Sequence, residues 1–327
     1  MTLVPRVVFG LPAFNRPDGL PQTLESLLGQ TYRDFAVVIV DDCPTPAIRA
    51  IVEAYSALDS RITYEPNPER LGMIANWRKA FVSSRRLYPG SEYFAWVSDH
   101  DVWHPRWLEV LVRVLDDHPE VVLAYPSSVR IYPHERRLAA VFETADSPNR
   151  AHRVRVAATR VTAGNAVYGL VRAAALEQVG VFRSVMMPDR QILIQLSLLG
   201  EFRHVKEILW YREASGAFSY RRQRQMFFPS HVPLYTYLPA NVQHFGVLLW
   251  DLVARGRGRP AIGRIAGLWY AALQLWYTTR RELFRDDSRW REALRRTALG
   301  RRLLPGGRAA RDLRRLTGLE STAEERR

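Results

Sequence analysis

The sequence predicts an α/β protein: a mostly parallel sheet flanked by helices, followed by a helical, basic C-terminal extension. Three observations predict it. Short apolar runs recur at 7–11, 36–40 and 93–97, helical periodicity fills the gaps between them, and polar residues cluster directly after each run. Strands separated by helices imply right-handed crossovers and a sheet covered on both faces.

The elements follow in order. The run 7–11 reads as a buried strand stopped by Pro12. Leu20, Leu24, Leu27 and Leu28 recur at helical spacing, with Gly29 as the stop. The second strand, 36–40, ends on Asp41-Asp42, and Ile48, Ile51, Val52 and Tyr55 mark the next helix. A short strand at 62–64, a helix over 73–87 and the strand 93–97 complete the first third. The middle of the chain predicts strands at 121–125, 129–132, 154–157, 202–205 and 208–211, with helices near 171–179 and 189–199. No Gly/Ser/Pro linker interrupts it, so it reads as the second half of the same domain. The expected organisation is a domain over 1–225, a helical extension over 226–300 and a basic, partly disordered tail over 301–327.

Composition narrows the function classes. Of 327 residues, 47% are hydrophobic and 24% charged, which excludes wholesale disorder. The single cysteine, Cys43, cannot form an internal disulfide or a zinc cluster, so a stapled secreted scaffold is excluded. The formal net charge is +14, and only Lys79 and Lys206 among the 47 basic residues are lysine. Arginine forks suit phosphates, carboxylates and anionic lipid. The apolar stretch after Met1 is too short for a signal peptide, so the expected location is the cytosol or the cytosolic face of a membrane. Trp269, Tyr270, Trp276 and Tyr277 beside Arg264 and Arg280-Arg281 fit an amphipathic helix at an anionic lipid interface, or one packing its aromatic face on the domain.

Open parallel sheets bind ligands at the carboxyl ends of their strands. Three such ends carry polar residues here: Pro12-Ala13-Phe14-Asn15-Arg16, Asp41-Asp42 and Ser98-Asp99-His100-Asp101. A lone D-x-D is commonly a solvated turn, but this one lies between a buried strand and Trp103-His104-Pro105. Hard oxygen donors beside an imidazole suit Mn²⁺ or Mg²⁺ bridging a diphosphate. Asp41 and Asp42 can accept from a ribose hydroxyl or a base N–H; the alternative for Asp42 is a helix-cap role with Thr45.

These segments resemble the family 2 inverting glycosyltransferases of the GT-A fold. The resemblance covers about residues 6–225. It is carried by Pro12 to Arg16, by Leu24-Glu25-Ser26-Leu27-Leu28-Gly29-Gln30-Thr31-Tyr32, by Val40-Asp41-Asp42, by Ser98 to Pro105 and by Leu209-Trp210-Tyr211-Arg212. It implies a nucleotide-diphosphate sugar donor and an Mn²⁺ or Mg²⁺ cofactor. It places Pro12, Phe14, Asn15, Arg16, Asp41, Asp42, Arg70, Asn76, Ser98 and Asp99 around the nucleotide sugar. The metal ligands fall among Asp99, His100 and Asp101. Aligned on Val102-Trp103-His104-Pro105, the usual acidic ligand falls on His100, which leaves open which of the three binds and favours Mn²⁺.

The family's catalytic base matches Asp189, at the start of a helix and preceded by Pro188 where many relatives carry an acidic residue. The alternative for Asp189 is a first-turn residue stabilising the helix dipole. Arg221 and Arg222, with Arg224, are candidates to clamp the diphosphate, or else form a solvated face. The expected reaction is direct displacement by an acceptor hydroxyl on a carbohydrate, lipid-linked or small-molecule acceptor, in envelope polysaccharide or glycolipid synthesis. The competing classes are a metal-dependent phosphohydrolase built on His100-Asp101, a nucleotidyltransferase and a basic nucleic-acid-binding protein. The first lacks a second His-rich motif, the second a Gly-rich phosphate loop, and the third a zinc spacing or RNA-binding motif, so no nucleic-acid partner is expected.

Overall fold

The structure, a computed structural model, describes residues 4–160, 164–213, 219–255 and 262–284. The chain divides into two compact units, 1–275 and 276–327, and the whole sheet lies in the first. The N-terminal half of that unit alternates β1 (Val7–Ala13), α1 (Leu20–Leu28), β2 (Phe35–Asp41), α2 (Pro46–Leu58), β3 (Ile62–Pro66), α3 (Met73–Leu87) and β4 (Tyr93–Trp96). After these come β5 (Val102–Trp103), α4 (Trp107–Asp117), β6 (Val121–Ile131), β7 (Arg136–Leu138), α5 (Arg150–Arg160), β8 (Leu170–Arg172), α6 (Ala173–Val179), α7 (Pro188–Leu199) and β9 (Glu201–Glu213). The path through the sheet is β3-β2-β1-β4-β8-β6-β9-β5, with β7 on β6. The β3-β2-β1-β4 half is wholly parallel, and β6–β9 is a further long parallel pair.

Strand periodicity explains the two-sided core. Along β1 and β2, Val8, Val38 and Val40 face one apolar cluster, with Trp77, Phe81, Phe94 and Trp96. Val7, Phe9, Leu11, Val37 and Ile39 face the other, with Leu20, Leu24, Leu27 and Trp107. Gly10 is required on the first face, because a Cβ there would approach the Phe94 ring to 2.5 Å.

Several elements differ from expectation. Pro12 does not stop β1, which runs on to Ala13. β4 pairs only with residues 7–10, so the missing Pro12 N–H lies past that ladder. The strands expected at 121–125 and 129–132 form the single β6, whose register against β9 shifts at Pro126/Ser127 and so accommodates the proline. The segments 202–205 and 208–211 likewise merge into β9.

Residues 154–157, expected as a strand from the alternation of Val154 and Val156, lie in helix α5. Arg150 and Arg153 on that helix donate to Leu198 O (3.2 Å) and Ser197 O (2.9 Å), carbonyls in the last turn of α7 that lack helical partners.

The C-terminal part is helical: α8 (Tyr220–Phe227), a 3-10 turn (Leu234–Tyr237), α9 (Ala240–Leu248), a π-helical turn (Leu249–Ala254) and α10 (Arg264–Phe284). Phe227, Leu248, Leu252, Ile262 and Ala271 enter the same core cluster as Trp96 and Phe182. No described helix is long and apolar enough to cross a membrane. The tail expected at 301–327 and the end of the extension from 285 lie outside the described residues.

Candidate active site

The first loop meets the D-x-D segment directly. Phe14 N–H donates to Asp99 Oδ2 (2.9 Å), while Asn15 takes a left-handed conformation (φ 49°) that turns the chain at the end of β1. Arg16 pairs with Glu213 (3.0 Å), and the exposed Arg70 guanidinium lies 4.6 Å over the Phe14 ring. Pro12 is buried beneath them.

At the end of β2, Asp41 is fully buried. Its oxygens accept from Cys43 N–H (2.9 Å) and Tyr64 O–H (2.8 Å). Burial pushes its carboxyl up, opposed by those two bonds and reinforced by the nearby charges of Asp42 and Asp99.

Asp42 and Asn76 shape the neighbouring backbone. Asp42 accepts from Leu71 N–H (2.6 Å), Gly72 N–H (2.9 Å) and Asn67 Nδ2 (3.0 Å). The helix cap beside it is Thr45 alone, whose hydroxyl accepts from Ile48 N–H (3.3 Å). Asn76 donates to Val40 O (3.0 Å) and accepts from Asn67 (2.9 Å), tying α3 to the end of β2. Gly72, at φ 84°, has no room for a side chain: a Cβ would lie 2.7 Å from Phe227 O and 2.6 Å from Pro229. The end of α8 therefore closes on the loop that Asp42 shapes. Arg221 and Arg222 are both exposed on α8.

Within Ser98-Asp99-His100-Asp101 the side chains divide. The buried Ser98 precedes Asp99, whose Oδ1 lies 2.7 Å from His100 Nδ1. His100 Nε2 faces Asp101 Oδ1 at 3.9 Å. A carboxylate on one ring nitrogen is how ligating histidines are oriented, leaving the other nitrogen for a cation. The donor types are compatible with a divalent cation at this segment. Asp101 is committed elsewhere: it accepts from Glu213 N–H (3.0 Å) and Trp210 Nε1 (3.2 Å), tying the end of β9 to the loop that leads into β5. Burial pushes the Asp101 carboxyl up, with the His100 and Arg212 charges opposing. Among the described residues, no group of three or more His, Cys, Asp or Glu is arranged to hold a metal by itself.

Asp189 sits in the first turn of α7, behind Met187 in a left-handed conformation (φ 53°) and Pro188. Burial pushes its carboxyl up, opposed by the Arg190 and Arg212 charges. Tyr168 lies on a 3-10 turn (Gly164–Tyr168), and burial chiefly pushes its hydroxyl up, with smaller effects from the charges of Arg212, Asp101, Asp189 and Asp99.

Sequence alone gives Arg212 no role beyond its place in the Leu209-Trp210-Tyr211-Arg212 phrase. Its guanidinium lies 5.4 Å from the ring centres of both Tyr168 and Trp210 and donates to Asn165 Oδ1 (2.7 Å). An arginine closing a long strand beside two aromatics was the available signal. Tyr168 and Asn165 had none, because a short turn has no periodicity.

Carboxylates and an imidazole gathered past the carboxyl ends of β1, β2 and β4 define an α/β protein with an acidic cluster at one edge of its sheet. The chain belongs to glycosyl transferase family 2, whose family model matches residues 9–179, just over half of its length. WcaA of Escherichia coli K12, described as a putative colanic acid biosynthesis glycosyl transferase, is 28% identical over 151 residues, covering 41% of this chain and 52% of that protein. TuaG of Bacillus subtilis 168, a putative teichuronic acid biosynthesis glycosyltransferase, is 30% identical over 98 residues, covering 30% and 37%. Matches to three curated relatives span only 30–37% of their lengths.

Among solved structures, S. aureus TarS 1-349 in complex with UDP-GlcNAc shares the fold at TM-score 0.56 and 14% identity, over 88% of this chain and 79% of TarS. Mannosyltransferase PcManGT from Pyrobaculum calidifontis, in complex with GDP-Man and Mn²⁺, matches at TM-score 0.50 and 17% identity, over 97% and 85%. The fold is accordingly of the GT-A glycosyltransferase type.

Proposed function

We propose that this protein is an inverting glycosyltransferase that moves a sugar from a nucleotide-diphosphate donor to an acceptor hydroxyl. One observation carries the reading: Arg212, 5.4 Å from the ring centres of Tyr168 and Trp210, stands beside the Asp101 carboxylate that Trp210 Nε1 bonds (3.2 Å), and its charge also opposes the burial that pushes the Asp189 carboxyl up. Strand-end acids and a helix-borne carboxylate far apart in sequence thus share one electrostatic neighbourhood.

Asp189 is the general base. It takes the proton of the acceptor hydroxyl as that oxygen bonds to the anomeric carbon. The bond from that carbon to the diphosphate breaks, and the nucleoside diphosphate leaves with the electron pair. A carboxyl pushed up by burial is a stronger base than a solvated one, which suits the task. Phe14, Asn15, Arg16, Asp41 and Arg70 line the nucleoside side, with Asp42 and Asn76 shaping the loop over it. Arg212 is a fixed cation at the site, and Arg221 and Arg222 on α8 clamp the diphosphate. His100, oriented by Asp99, would hold Mn²⁺, with Asp101 fixing the β9 end. When bound, such a cation neutralises charge on the leaving diphosphate.

The biosynthetic roles given to WcaA and TuaG support an envelope polysaccharide or glycolipid product. The exposed Ile265, Leu268 and Trp269 of α10 support peripheral contact with the cytosolic face of a membrane.

The test is Asp189→Asn. Nucleotide-sugar binding, read by thermal shift against UDP- and GDP-sugars with and without Mn²⁺, should persist, while turnover falls by about 10²–10⁴-fold. Unchanged turnover would remove Asp189 from the mechanism. A protein that binds polyanions with steep salt dependence and no nucleotide-sugar preference would instead be a nucleic-acid binder.

A further inference from the structure

The segment that leads into Asp189 is gripped along its length by other parts of the chain. Arg78 on α3 donates to Phe182 O (2.6 Å). Arg183 forms two bonds to the buried Asp251 on the π-helical turn (2.7 and 3.0 Å). Tyr235 O–H donates to Ser184 O (2.6 Å).

The grip tightens at Met186, where two consecutive side chains of α9 take both backbone polar groups. Gln243 Oε1 accepts from Met186 N–H (2.9 Å), and His244 Nε2 lies 2.8 Å from Met186 O. Gln243 is itself fixed, donating through Nε2 to Leu238 O (2.7 Å). Both side chains are buried.

What this grip holds is an unfavourable backbone. Met187 is left-handed at φ 53°, ψ 54°, a conformation that disfavours any side chain bearing a Cβ. Such a residue persists where its surroundings over-determine it. Met187 O in turn accepts from Arg190 N–H (3.1 Å) and Gln191 N–H (3.3 Å), starting α7 and setting the direction in which Asp189 leaves the helix. The N-cap residue makes no side-chain cap bond, so the left-handed Met187 and the following Pro188 are what the backbone offers to start the helix.

We infer that Gln243 and His244 are positioning residues for Asp189, with α9 pinning Met186 and thereby holding the left-handed turn from which the base-bearing helix starts. The inference rests on Asp189 being the base. It gives the C-terminal helices a part in turnover that is independent of any membrane contact. A carboxylate displaced by about 1 Å can lose on the order of 10²-fold in rate while donor contacts elsewhere stay intact.

The experiment has two arms on the full chain. In the first, hydrogen exchange is followed at the amides of 186–191. In His244→Leu these amides should exchange at least about tenfold faster than in the wild type. His244→Gln, which keeps a side-chain N–H near the Nε2 position, should restore protection, and Gln243→Leu should repeat the loss. Unchanged protection in both leucine variants overturns the clamp.

In the second arm, release of UDP from UDP-GlcNAc and of GDP from GDP-mannose is measured with Mn²⁺. The leucine variants should lose about 10–100-fold in kcat with KM for the donor unchanged, His244→Gln should recover it, and neither leucine substitution should lower turnover further in an Asp189→Asn background. Equal losses with and without Asp189, or a loss in KM alone, overturn the positioning role. Should Asp189→Asn itself keep full turnover, the base assignment fails, while the exchange arm still reports on the clamp. Thermal unfolding of each variant confirms that it is folded.

Discussion

Asp189 and Asp101 are both carboxyls that burial pushes up, yet they face different tasks. A raised folded-state pKa means the folded protein holds the proton more tightly than the unfolded chain does. The group therefore favours folding at low pH, and that contribution is lost as pH rises from the unfolded value, about 3.9, through the folded one. At neutral pH an ionised Asp189 is a cost to the fold. Asp189→Asn should consequently hold or raise the midpoint of urea unfolding at pH 7. An ordinary first-turn carboxylate would lose about 0.3–1 kcal/mol on the same change. The kcat profile of the wild type should have its acid limb above the usual aspartate range, because only the ionised form accepts a proton.

Asp101 is predicted to behave otherwise. Removing it in Asp101→Ala leaves Trp210 Nε1–H and Glu213 N–H without their acceptor, at about 1–3 kcal/mol for the buried indole donor left unpaired. Chemical denaturation reads that loss directly. The same variant with intact stability but lost Mn²⁺-dependent nucleotide binding would return Asp101 to the metal.

At the level of elements, the first third was legible because each segment carries one period. Runs of Val and Ile alternate inward on both faces, and the leucines of α1 recur on one stripe. The helix expected over about 73–87 is α3. The middle was harder because tertiary contacts override local pattern there. Val154 and Val156 look like strand residues, but Arg150 and Arg153 bind them into α5 by capping another helix, which no local spacing reveals. Strand β8 is three residues long and antiparallel, too short to show alternation.

In the site, residue types and strand-end positions were readable, whereas partners were not. The commitment of Asp42 to Leu71 and Gly72, and of Asp101 to β9, depends on residues 29 to 112 positions away.

The Arg183–Asp251 pair is a test of how the C-terminal helices are joined to the domain. Asp251 is fully buried and also accepts from Gln195 (2.9 Å). Asp251→Ala strands the Arg183 guanidinium, and breaking one partner of such a pair costs about 3–5 kcal/mol. Urea unfolding should show that loss. A change below about 1 kcal/mol, the range of an exposed pair, would mean that this ion pair adds little to the apolar packing and the other hydrogen bonds that join the two parts.

For the whole molecule, the relevant quantity is the net charge of +14 beside exposed apolar side chains. On the first turns of α10, Ile265, Leu268 and Trp269 are 88%, 52% and 51% exposed, while Ala271 is buried and Gly267 packs on Leu252. Helical spacing places the exposed trio together on a face away from the core. An apolar helix face on an arginine-rich chain suits the surface of an anionic bilayer, with electrostatic attraction and shallow insertion acting together.

Deleting residues from 262 onward would also remove Ile262 and Ala271 from the core, so loss of binding by such a truncation would be ambiguous. Surface substitution separates the two effects. Ile265→Glu, Leu268→Glu and Trp269→Glu together should leave the thermal unfolding midpoint nearly unchanged. They should also release the full chain from vesicles of phosphatidylglycerol and phosphatidylcholine in a sedimentation assay. Binding of the wild type should weaken as salt rises, since the Debye length shortens from about 10 Å at 0.1 M to about 3 Å at 1 M. A triple variant that sediments as completely as the wild type would mean that α10 does not meet the bilayer through this face.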